Sequence, residues 1–190
     1  MCLLLLPDCE AQTERELVAE LNALRTDPQA WVRHLEERRK WYRGTVIREP
    51  GQTPVRTQEG MSAVDEAIAV LRTLRPMRAL RFSEALANAA RDHVRDIGPL
   101  GIITHVGSDG SSTRARVQRY LPNARTLGET ISFGPSSARA VLIDLIIDDG
   151  VPARSHRKIL IDPGFRLAGA ACGPHKTYGT ACVIDLATRG

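Results

Sequence analysis

The stretch that most constrains the fold lies at the C-terminal end, LAGAACGPHKTYGTACVIDLA, residues 167–187. Two runs with strand character flank a Gly-Pro and a Tyr-Gly pair, which is the pattern of a hairpin. Cys172 and Cys182 then face each other across the two strands at a separation a disulfide can span. The same placement also suits two small buried thiols on adjacent strands, so the spacing alone leaves both open. With Cys2 and Cys9 the chain has four cysteines, an even number compatible with an oxidising compartment.

The run AVLIDLII, between Ser136-Ser137 and Asp149, is apolar nearly all round, which marks a helix covered on every side. Upstream, several helices announce themselves by their caps. Thr13 to Glu16 has the form of a capping box with Leu17, Leu21 and Leu24 behind it. Asp27-Pro28 opens a second helix through Ala30, Trp31 and Leu35 towards Trp41. Ser62 begins a third, carrying Val64, Ala67, Ile68 and Leu71 on one face. Ser83 caps a fourth, whose stripe is Leu86, Ala89, Ala90, His93, Val94 and Ile97 and which stops at Gly98-Pro99. Ser111 or Ser112 caps a short helix through Tyr120, and GETISFG reads as a strand with Glu129 near its start. The Gly/Pro/Thr/Gln-rich stretch 44–60 reads as a loop. Four or five helices with about three short strands, the last two antiparallel, define an α+β layer structure.

At 190 residues the chain is the size of one ordinary globular domain, assigned here to residues 13–190. Residues 1–12, MCLLLLPDCEAQ, look like the tail of a secretory leader that lacks its basic start; a frayed terminus or a misplaced start codon reads equally well. No apolar run reaches the roughly 20 residues of a membrane helix. Lys+Arg total 26 against 22 Asp+Glu, and the basic residues sit beside acids on helical stretches. Aromatic residues are few, so neither a basic patch nor a stacking platform for nucleic acid is present.

The residues hardest to explain as packing are His105 in a Gly/Ser loop, Glu129 at a strand start, Asp148 or Asp149 at a helix end, and His156 shortly after. Neutral imidazole is the commonest side-chain ligand for divalent metals, and carboxylates complete or orient such sites. The same groups also serve as general acid and base. Their intervals match no local metal motif. His93, on an apolar helix face, reads as a core or interface histidine. Ser111 and Ser112 lie close to His105, but no nucleophile elbow surrounds them and serines before a helix are ordinarily caps.

The pieces LNALRTDP, LRFSEALANAARDHVRDIG, THVGSDGSSTRAR, LGETISFG, IDDGVPARSHRKIL and FRLAGAACGPHKTYGTACVIDLA, taken in order over about residues 17–187, resemble the CAP superfamily (cysteine-rich secretory proteins, antigen 5, pathogenesis-related 1), and in particular its SCP-like extracellular branch. The resemblance implies an α-β-α sandwich with a central antiparallel sheet, and an open cleft holding two histidines and two acids. The histidines fall on His105 and His156, the glutamate on Glu129, and the second acid on Asp148 or Asp149. Thr130 and Ser155 depart from the family's usual asparagine and glycine. The second acid is an aspartate, one methylene shorter than the usual glutamate, which puts its contact at risk. The implied function is a secreted, non-enzymatic module that binds zinc or another divalent cation and a protein or lipid partner, in an extracellular or periplasmic setting. A metal-dependent hydrolase and a metal-free structural domain are the alternatives.

Overall fold

The computed structural model describes residues 7–51 and 53–189, with side chains described from residue 13 onward. The leader-like reading of 1–12 therefore falls largely outside the described residues. Helix α1 (Pro7–Thr26) begins upstream of Thr13, so the capping-box sequence lies within it rather than at its start. Helix α2 (Pro28–Arg39) is capped by Asp27, whose side chain accepts from the Ala30 N–H with proline at the first helical position. It ends before Trp41, which falls in a turn.

The stretch expected as a loop holds three two-residue strands, β1 (Tyr42–Arg43), β2 (Val46–Ile47) and β3 (Val55–Arg56), paired as an antiparallel meander. Strands this short carry no periodicity to read. Then follow α3 (Met61–Thr73), β4 (Arg81–Phe82) and α4 (Glu84–Leu100). Helix α4 is capped by Ser83 and runs through Pro99 to a left-handed Gly101. The expected stop at Gly98-Pro99 comes two residues early, because a proline near a helix end disturbs few bonds and a C-terminal glycine is the stronger stop. Ser112 caps α5 (Thr113–Tyr120) and Ser137 caps α6 (Ala138–Ile147), with β5 (Leu127–Phe133) between them. A one-and-a-half-turn helix, α7 (Ser155–Leu160), precedes the hairpin of β6 (Leu167–His175) and β7 (Gly179–Ala187).

The main sheet has the order β4-β6-β7-β5; β6, β7 and β5 are antiparallel, and β4 adds a two-residue parallel edge. Helices cover both faces, giving the α-β-α sandwich of an α+β protein. Side chains alternate between faces along each strand. Ala168, Ala170, Cys182, Ile184 and Leu186 point into the larger core with α1, α2, α3 and α6. Leu167, Ala171, Val183, Ala187 and Ile131 point the other way, under α4 and α5. Cys172 and Cys182 are register partners on the larger-core face and are joined by a disulfide. Removing a fully buried leucine such as Leu142 from that core would cost about 2–5 kcal/mol.

The core under α4 differs from the larger one. It is split into two apolar clusters, and Glu129 and Asp185 lie between them as register partners on β5 and β7. Gly169 is the β6 neighbour of Asp185, and a Cβ there would meet the Ala87 N–H at 2.1 Å. The start of α4 thus rests directly on the sheet at this point, and Asp185 is 1% exposed.

Candidate functional site

Two histidine–carboxylate pairs meet at one end of the sheet. His105 sits in the loop between α4 and α5, and its Nδ1 donates to Glu129 Oε1 at 2.7 Å. His156 is the second residue of α7, and its Nδ1 donates to Asp148 Oδ1 at 2.7 Å. The two rings lie 6.3 Å apart between centroids, tilted by 32°. An ionised carboxylate only accepts, so each contact places a proton on Nδ1, and in the neutral ring Nε2 is then the lone-pair nitrogen. Neither Nε2 has a hydrogen-bond partner among the described residues.

The Glu129 carboxylate is held by side chains from elsewhere in the chain. Besides His105, Oε1 accepts from the Thr113 hydroxyl at 2.9 Å, and Oε2 accepts from Arg116 Nη2 at 2.7 Å. Arg116 is itself 2% exposed and also donates to the carbonyls of His105 and Ser111, pinning both ends of the histidine loop. Burial pushes the Glu129 carboxyl up, but the His105 hydrogen bond and the Arg116 charge outweigh it and hold the group below the usual range.

Asp148 is held by the backbone. It is the left-handed C-cap of α6, with φ 57°. Its Oδ2 accepts from the N–H groups of His156 (2.9 Å) and Arg157 (3.2 Å), in the first turn of α7. The left-handed bend turns the carboxylate towards α7, so the shorter acid reaches its histidine directly. Around it, Arg154 and Arg157 brace α7 against Glu66 on α3, and Arg154 also pairs with Glu59. The arginines beside His156 are therefore struts of the turn.

Asp149 does not join the two histidine–carboxylate pairs. Its carboxylate accepts from the N–H groups of Gln58, Glu59 and Gly60, where α3 starts without a side-chain cap of its own. Asp149 also borders a separate groove of about 830 Å³ between the β1–β3 meander and α6. His93 is fully buried, with Nε2 donating to the Thr104 carbonyl and burial lowering its pKa despite the nearby Glu129 charge. Ser112 caps α5, and Asp109 and Ser111 form the turn that precedes it.

Sequence reasoning missed Thr113, Arg116 and Asp185. Asp185 had a visible signal, an acid inside the apolar run ACVIDLA. Arg116 had none, since an arginine on a short polar helix ordinarily faces solvent.

The α-β-α sandwich is the fold of the CAP/SCP class. The family model described as "CAP: Cysteine-rich secretory protein family" matches residues 66–186, and the chain belongs to that family. No curated protein matches. Among solved structures, the chain is similar to an extracellular protein containing an SCP domain from Bacillus anthracis, at 17% identity and TM-score 0.55, over 100% of this chain and 45% of that one. It is also similar to an outer surface protein of Borrelia burgdorferi, at 18% identity and TM-score 0.51, over 60% of this chain and 80% of that one. The chain thus spans less than half of the Bacillus protein. At these identities the likeness concerns the fold. Among the described residues no helix is long and apolar enough to cross a membrane.

Proposed function

We propose that the cleft binds a divalent cation, zinc by the chemistry of its donors, through Nε2 of His105 and His156, and that it serves as a non-enzymatic recognition site outside the cytoplasm. The observation that carries this reading is the pairing of each histidine with a buried carboxylate through Nδ1, with both Nε2 atoms left unpartnered on rings 6.3 Å apart. Carboxylate-oriented imidazole is the usual arrangement behind a metal-ligating histidine, since it fixes the tautomer and raises basicity. Among the described residues no three His, Cys, Asp or Glu side chains converge as a ready metal cluster, so the protein's own contribution is the two imidazoles. A cation held this way keeps coordination positions open for water or a partner's donor.

The partner reading draws on the rim. Leu100, Ile102, Ile103 and Val106, in the segment that leads from α4 past His105, are exposed, a surface suited to an apolar partner or lipid. The extracellular reading draws on the Cys172–Cys182 disulfide and on the extracellular and outer-surface descriptions of the similar structures. A hydrolase that used one of these carboxylates as its base would have that carboxylate take a proton from water. Both oxygens of Glu129 and both of Asp148 are already engaged, and each acid is buried, which favours binding over turnover.

Calorimetric titration of zinc into metal-free protein near neutral pH tests the reading. Near-stoichiometric binding, lost in both His105→Ala and His156→Ala, is the expected result. A folded protein with no zinc binding overturns it and leaves the metal-free network.

A further inference from the structure

Asp185 is the least exposed acid of the α4 interface, and neither of its carboxyl oxygens has a hydrogen-bond partner among the described residues. Its cross-strand neighbour on the same face is Glu129. Two facing carboxylates have no donor between them, and like charges this close in a dry layer repel strongly. The charge count of the layer is equally clear. Arg116 from α5 supplies one permanent positive charge, burial works against a charge on His93 from α4, and His105 from the loop meets Glu129 on its far side. One cation cannot balance two buried acids.

The hydrogen-bond ledger decides which acid keeps the proton. Glu129 Oε1 accepts two bonds and Oε2 one, so Glu129 is solvated as a carboxylate and Oε2 has a lone pair to spare. Asp185 receives none. Burial and the Glu129 charge raise its pKa well above the ordinary carboxyl value, against a smaller opposing pull from Arg116.

We infer that Asp185 is a positioning residue for the cleft: as a neutral acid it donates an O–H···O bond to Glu129, completing the set of donors that holds that carboxylate against His105 Nδ1. Its functional consequence rests on the metal-binding reading above, but its physical basis does not, and the test needs no metal.

The carboxyl carbon of Asp185 is followed by ¹³C NMR from pH 4 to pH 8, with Asp185→Asn providing the assignment. The ¹⁵N shifts of His105 are read in the wild type, in Asp185→Asn and in Asp185→Leu. The expected result is an Asp185 carboxyl that stays at its protonated shift through neutral pH. His105 should keep its Nδ1–H form in the asparagine variant, whose amide N–H can replace the acid's O–H, and lose it in the leucine variant. Ordinary titration of Asp185 below about pH 5 overturns the inference. So does an Asp185→Leu protein that folds and leaves the His105 shifts unchanged, because Asp185 would then be filler. Should the leucine variant fail to fold, the wild-type carboxyl titration still decides.

Discussion

The two arms of the site, His105 with Glu129 and His156 with Asp148, hold the same pair of groups by opposite means. Glu129 lies in mid-strand on β5, where the backbone amides are taken by the sheet ladder, so its charge is met by the side chains of Arg116, Thr113 and His105. Asp148 lies between two helices, where the first-turn amides of α7 have no partner within the helix, so backbone N–H groups meet its charge. The first arm is assembled from long-range side chains and the second from one local bend. Their exposures differ too: His105 is 51% exposed and His156 21%. The first arm is therefore open to solvent at its histidine but dependent on a buried ion pair, and the second is rigid through its backbone.

The sharpest way to break this contrast is Arg116→Met. It leaves Glu129 buried without its cation, and the expected cost is about 3–5 kcal/mol by urea denaturation. A loss below about 1 kcal/mol would show that the ion pair is not what holds the first arm.

On the second arm, Asp148→Ala strips two backbone donors of their acceptor and puts alanine at a positive φ, for an expected loss of about 2–3 kcal/mol. Asparagine tolerates that φ and keeps one accepting oxygen. Asp148→Asn should therefore melt close to the wild type while changing the ¹⁵N signature of His156.

Within the first arm, the two buried acids should separate with pH. The Glu129 carboxyl is depressed in the folded protein, so its contribution is present above its unfolded pKa and is lost as pH falls through the folded value. The Asp185 carboxyl is raised, so its contribution is full below its unfolded pKa and is lost as pH rises towards the folded value. Asp185→Asn removes only the second effect. Its stability relative to the wild type should climb by up to about 1.4 kcal/mol per pH unit above about pH 4, measured by denaturation at several pH values. A flat difference would mean that Asp185 ionises normally.

The smallest effect should come from Thr113→Val, which removes one neutral donor to Glu129 while keeping the side chain's shape. Its cost should be about 1 kcal/mol in thermal or urea unfolding, and zinc binding should survive.

Much of this fold was readable in the chain. Asp27, Ser83, Ser112 and Ser137 cap the helices at whose starts they stand, because a short polar side chain before an apolar stripe has one geometric use. The hairpin was legible from its Gly/Pro punctuation and paired cysteines. His105, Glu129 and His156 stood out because each is awkward as a packing residue, and the structure brings them together with Asp148. The choice between Asp148 and Asp149 was not legible. Adjacent acids look alike in sequence, and only the left-handed bend at Asp148 turns one towards His156 and sends the other to α3.

Local chemistry thus determined the helices, the hairpin and the inventory of imidazoles and acids, since caps, periodicity and turn residues act within a few positions of themselves. Tertiary structure decided what those groups became. Arg116 lies 13 residues from Glu129, and Asp185 lies a strand away across the sheet. Asp185 lies beside the point where α4 rests on Gly169, a contact between elements that no short window of sequence contains.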